Sequence, residues 1–96
     1  MGQGVVTQKN KNDIEKVIVY GAGVSGLITK RTIENDTKSA IHIIGFIDDN
    51  PKLWGTRIEG KNIYRPSDLS RIHKKKNIDT IIIAIQNPKS ERRKAL

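Results

Sequence analysis

Gly21, Gly23 and Gly26 stand at G-x-G-x-x-G spacing directly after the apolar run Val17–Tyr20. A chain that leaves a strand and enters a helix through such a turn presents bare backbone N–H groups and the positive helix end to an anion. The chemistry of that arrangement is phosphate binding rather than bond making. Gly21 permits a tight exit from the strand, Gly23 lets a diphosphate approach the backbone, and Gly26 lets the helix pack closely on the strand. Ala22, Val24 and Ser25 supply the intervening amides, and Ser25 adds a hydroxyl. Spacing alone is a weak signal, because eight glycines in 96 residues produce it by chance in roughly one such sequence in twenty. A tight strand-to-helix turn that binds nothing is the competing reading.

Context strengthens the binding reading. Asp48 and Asp49 follow a second apolar run, and Asp48 lies about 20 residues beyond Gly26, where a dinucleotide-binding unit places the acid that accepts ribose hydroxyls. Two adjacent carboxylates at that edge repel a 2′-phosphate, so the expected dinucleotide is NAD rather than NADP. An Asx turn before Pro51 explains the same pair structurally, and both readings can hold at once.

Other chemistries find little support. The chain has no Cys, which removes disulfides, thiolate metal sites and Cys nucleophiles. No zinc spacing, second acidic cluster or Ser-His-Asp pattern is present, so neither a metal nor a catalytic residue is expected. His42 lies among isoleucines and reads as a structural or edge histidine, and His73 as a solvated one. Trp54 reads as cover for a sheet edge or a partner contact ahead of an adenine stack. The net charge of +8 raises the question of an anionic partner. The densest basic groups are separate: Lys9/Lys11, Arg71/Lys74/Lys75/Lys76 and Lys89/Arg92/Arg93/Lys94. With no aromatics interleaved, a solvated face is favoured over nucleic-acid binding.

The elements that must position the glycine turn follow from periodicity. Lys16–Tyr20 reads as a buried strand, Val24 to Asn35 as a helix with Leu27, Ile28 and Ile33 for its inner face and Lys30 outside it, and Ala40–Ile47 as a second strand. Lys52–Arg65 reads as an irregular arm with short extended pieces around Gly55 and Gly60. Ser67 is the expected N-cap of a helix to Asn77 with Leu69 and Ile72 inward. Asp79–Ile85 reads as a strand apolar on both faces, and Asn87-Pro88 as the start of a last helix. Residues 1–14 read as a disordered leader, leaving 15–96 as one domain. Strands alternating with helices imply an α/β, doubly wound parallel sheet, incomplete at its C-terminal end. No run approaches the roughly 18 apolar residues of a membrane span and no signal peptide is recognisable, so the expected location is cytoplasmic.

The stretches VIVYGAGVSG, GFIDDNPKLWGTRIEGKNIYRPSDL and IDTIIIAIQNP together resemble the cytoplasmic Rossmann-like, CoA-binding-like domain of bacterial polysaccharide-biosynthesis nucleotide-sugar 4,6-dehydratases and epimerases. The resemblance runs from Lys16 to Leu96, and the arm from Gly45 to Gly60 is its most specific part. It implies a nucleotide-binding ancillary domain, with NAD as the first candidate ligand and CoA or a UDP-sugar as others. In full-length members the domain lies at the cytoplasmic face of the inner membrane beside a catalytic short-chain dehydrogenase domain. The family's Tyr-x-x-x-Lys pair is not matched, since Val24 follows Tyr20 and Asp68 follows Tyr64 at that spacing; the chain is therefore expected to perform no catalysis itself. A non-binding oligomerisation or scaffolding domain of the same enzyme class is the alternative.

Overall fold

The computed structural model describes residues 14–36 and 40–84. The expected leader over 1–14, apart from Ile14, and the expected helix after Asn87 lie outside the described residues. Strands β1 (Glu15–Tyr20), β2 (Ile41–Ile47), β3 (Arg57–Ile58), β4 (Lys61–Tyr64) and β5 (Thr80–Ile83) form one sheet in the order β3-β4-β2-β1-β5. Pairing is parallel throughout except for the β3–β4 hairpin. Helix α1 (Gly23–Glu34) connects β1 to β2, and helix α2 (Leu69–Lys76) connects β4 to β5.

Successive strand residues face opposite sides of the sheet, and the core divides accordingly, with a register shift at Ile44 of β2 that puts Ile43 and Phe46 on one face and Ile44 and Ile47 on the other. Val19, Ile43, Phe46, Ile63 and Ala84 form one buried cluster, joined by Ile33 of α1 and by Leu53, Trp54 and Ile58 of the arm. Ile18, Ile44 and Ile47 form the other with Ile72 of α2, joined by Leu69, Ile78, Tyr20 and Tyr64. Helices thus cover both faces, the doubly wound arrangement that strand–helix alternation predicts. β1 is central: β2 flanks it on one side and β5 on the other, so the chain reverses its direction of winding beside the end of β1. In parallel sheets the crevice at such a reversal, outside the carboxyl ends of the strands, is where ligands sit.

Several local expectations are corrected. α1 does not present Ile28 inward; Ile28 is 58% exposed, and the helix buries Gly26 and Lys30 instead. Gly26 brings the head of α1 into direct contact with the turn and the Phe46 ring, and Ile28 lies on the helix side away from that contact. Lys30, expected outside the apolar face, is buried because its ammonium finds two carboxylates, Glu34 at 2.7 Å and Glu59 at 3.1 Å. Ser67 does not cap α2: it lies inside a 3-10 turn over Pro66–Asp68, and Asp68 precedes the helix. Proline fixes the start of that turn one residue before Ser67. β5 is apolar on both faces as expected, but Ile81 and Ile83 are exposed at the edge of the described sheet. No described helix is long and apolar enough to cross a membrane.

Phe46 is completely buried and the largest side chain of the core. Phe46→Ala is expected to lower unfolding free energy by about 3–5 kcal/mol, measured by urea denaturation; a loss below about 1 kcal/mol would contradict this account of the core.

Candidate functional site

The glycine turn lies between the carboxyl end of β1 and the head of α1, and its three glycines do different work. A Cβ on Gly21, whose φ is +115°, would lie 2.2 Å from the Ala84 carbonyl oxygen beyond β5. A Cβ on Gly26 would lie 2.1 Å from the Gly21 carbonyl oxygen and 3.3 Å from the Phe46 ring. Both positions are therefore closed by the protein's own backbone. Gly23 differs: its φ is +84°, but a Cβ there would meet nothing within 4 Å among the described residues. Open space above Gly23 is what a backbone approached by a ligand requires.

The head of α1 lacks internal compensation. Ala22 is its N-cap, no side chain caps it, and its first turn contains no acidic residue. Among the described residues no protein group accepts from the amides of Gly23, Val24 or Ser25. Those unmet donors and the helix dipole create a positive end that favours an anion.

Asp48 is brought to this turn. The Ala22 N–H donates to Asp48 Oδ2 at 2.8 Å, and the Asn50 N–H donates to Asp48 Oδ1 at 2.8 Å. Its backbone is held as well: Asp48 N–H donates to the Tyr64 carbonyl at 3.2 Å, and the Trp54 indole N–H donates to the Asp48 carbonyl at 2.7 Å. Each carboxylate oxygen spends one lone pair on an amide and keeps a second for a further donor. Asp49 is placed differently. It accepts the Tyr20 hydroxyl at 2.5 Å, and Tyr20 packs with the α2-side cluster. The turn and Asp48 therefore converge directly, while Asp49 is engaged by the residue that precedes Gly21. The hydrogen bond to Asp49 is the main cause that raises the Tyr20 pKa above its ordinary value, followed by burial and the charges of Asp49 and Asp48. The Tyr20 hydroxyl is thus a donor in a fixed bond to Asp49.

Trp54, read from sequence as edge cover or a partner contact, packs inside its own domain and orients Asp48. Nothing in its sequence neighbours signals that bond, which depends on how the arm folds back. His73 Nδ1 accepts the Ile78 N–H at 3.0 Å, so this exposed histidine also ties the loop after α2. His42 is exposed on β2, in register with Lys16 of β1. Partial burial, then the fields of Lys61, Lys76 and Lys16, push its pKa below the ordinary value. Among the described residues no three His, Asp or Glu side chains cluster as metal ligands.

The comparisons agree with this architecture. The chain belongs to the C2185-like, N-terminal family, which it matches over residues 13–96. Among solved structures it is similar to UDP-D-quinovosamine 4-dehydrogenase from Vibrio fischeri, at 34% identity and TM-score 0.67, over 86% of this chain and 70% of that one. It is similar in fold to RSP, a Rex-family repressor, at 21% identity and TM-score 0.69, over 88% of this chain and 40% of that one. RSP in complex with β-NADH aligns at 25% identity and TM-score 0.61, over 85% of this chain and 39% of that one. No curated protein matches the chain. The domain is thus Rossmann-like, and it spans about two fifths of the repressor chains it resembles.

The glycines give a paired prediction. Gly26→Ala is expected to destabilise the domain severely, because backbone blocks the new Cβ. Gly23→Ala is expected to cost only about 1 kcal/mol through its positive φ. Thermal melting of both variants checks this, and equal losses would contradict it. For His42, the folded-state pKa lies below the unfolded value of 6.5, so the unfolded state binds more protons between the two. Stability is then expected to fall as pH drops through that window, and His42→Gln to remove this part of the slope; an unchanged slope would contradict it.

Proposed function

We propose that this domain binds a nucleotide, NAD first among candidates, as an ancillary domain of a nucleotide-sugar-modifying enzyme, and performs no catalysis of its own. The observation that carries the reading is the uncapped head of α1 beneath the open space at Gly23, with the Asp48 carboxylate held at the same turn. Gly21, Ala22, Gly23, Val24, Ser25 and Gly26 form the diphosphate cradle: Gly21 and Gly26 shape it by close packing, and the amides of Gly23, Val24 and Ser25 face the ligand. Asp48 accepts the ribose hydroxyls through its remaining lone pairs. Asp49, held by Tyr20, adds negative charge that disfavours a 2′-phosphate, and CoA or a UDP-sugar remain candidates that share the diphosphate. The likeness to a complex with β-NADH and to a UDP-sugar dehydrogenase supports the ligand and the enzyme class, respectively. The sugar handled by the parent enzyme, a catalytic dehydrogenase partner domain, a cytoplasmic location and a role in bacterial polysaccharide or glycan biosynthesis, whether dehydratase or epimerase, all belong to this proposal.

A second reading has its own observation. Ile81 and Ile83 are exposed on edge strand β5, and a cavity of about 590 Å³ lies between that strand and α2. These features suit an oligomerisation or scaffolding domain that docks a catalytic partner without binding a nucleotide.

Calorimetric titration with NAD, NADP, CoA and a UDP-sugar separates the two. NAD is expected to bind at least about tenfold more tightly than NADP, and Asp48→Asn to weaken NAD by about tenfold while narrowing that gap. No heat from any of the four at millimolar concentration would defeat the binding reading.

A further inference from the structure

Far from the glycine turn, the hairpin between β3 and β4 closes through Glu59 and Gly60, between the paired residues Ile58 and Lys61. Both turn residues have positive φ, +49° for Glu59 and +83° for Gly60. Two-residue hairpin turns of this kind favour Asn or Gly at the first position, and glutamate is an uncommon occupant. Its carboxylate explains the choice. Glu59 Oε1 accepts from Lys30 Nζ at 3.1 Å, while Oε2 accepts from Arg31 Nη2 at 2.6 Å and Nε at 3.0 Å. Lys30 is buried, and its pKa is raised chiefly by the Glu34 bond and further by Glu59, against the opposing effect of burial. It is an ammonium that cannot leave its carboxylates cheaply.

The hairpin's other end reaches Asp48. Gly55 N–H donates to the Ile63 carbonyl and Ile63 N–H to the Thr56 carbonyl, extending the hairpin beyond β3. There Trp54 holds the Asp48 carbonyl and Tyr64 accepts the Asp48 N–H. Helix α1 spans about 12 Å from Gly23 to Arg31. A closed circuit results: glycine turn, α1, Lys30 and Arg31, Glu59, hairpin, Trp54 and Tyr64, Asp48, and back to the turn through the Ala22 N–H.

We infer that Glu59 is a positioning residue: by gripping Lys30 and Arg31 it sets where Asp48 stands against the head of α1, and so tunes nucleotide affinity from the far end of the hairpin. The affinity half of this inference rests on the nucleotide-binding reading above; the positioning half does not.

Glu59→Asn tests it, because asparagine suits the positive-φ turn better while removing the clasp. The Asn variant is expected to fold but to melt below the wild type, because buried Lys30 then keeps only Glu34, and to shift the ¹H–¹⁵N resonances of the Ala22 amide and the Trp54 indole and weaken NAD binding by about fivefold. Arg31→Gln, at an exposed position, is expected to move the same resonances less and carries the test if the Asn variant does not fold. Ile72→Val, a mild core change beneath α2, is expected to leave both readouts in place. Ala22 and Trp54 resonances that stay put in the clasp variants overturn the inference whatever NAD does. Resonances that move in a protein whose wild type binds no NAD uphold the positioning and defeat only the nucleotide reading.

Discussion

The arrangement depends on the bond between the Ala22 amide and the Asp48 carboxylate, 2.8 Å long. It joins the turn after β1 to the tip of β2, the two places where a parallel α/β unit offers phosphate donors and a hydroxyl acceptor. Without it, Asp48 is one acid in an Asx turn. With it, a negative group and three amides that no described residue accepts from share one small surface. The four hydrogen bonds around Asp48 use its backbone and one lone pair on each carboxylate oxygen, which leaves its orientation fixed and its accepting capacity unfinished.

Packing supplies the rigidity this bond needs. Gly21 and Gly26 bring β5 and α1 so close to the turn that backbone touches backbone, and Phe46 fills the space beneath. The aliphatic core is split by the sheet into two clusters, and polar bonds tie the β3–β4 hairpin to α1. Lys30 is the buried cation of that tie, bonded to Glu59 of the hairpin turn as well as to Glu34 of its own helix. Charge is also sorted in space. Lys30, Arg31, Arg65 and Arg71 are paired, whereas Lys16, Lys61 and Lys76 surround His42 and form no ion pair among the described residues.

Much of this was legible from residue types and spacing. β1, α1 and β2 fall within about a residue of their expected bounds, because short apolar runs and a glycine turn speak through local rules. The close packing at Gly21 and Gly26 was also readable, since a glycine between a strand and a helix marks backbone in contact with backbone. Tertiary partners were not. That Lys30 is buried depends on Glu59, a residue remote in sequence, and that Trp54 serves Asp48 depends on the path of an irregular arm. Ser67 misled because a serine before an apolar pattern resembles a cap, whereas Pro66 starts a 3-10 turn first. The run Thr80–Ile83 is apolar on both faces as read, but the exposure of Ile81 and Ile83 follows from the place of β5 at the edge of the described sheet, which no local pattern shows.

The most direct test is a crystal structure of the protein grown with NAD. The account predicts diphosphate oxygens about 3 Å from the amides of Gly23, Val24 and Ser25, with a ribose hydroxyl on Asp48 and the Ala22 bond intact. Nucleotide bound instead between α2 and β5, or a turn whose amides keep only water at saturating NAD, would contradict it.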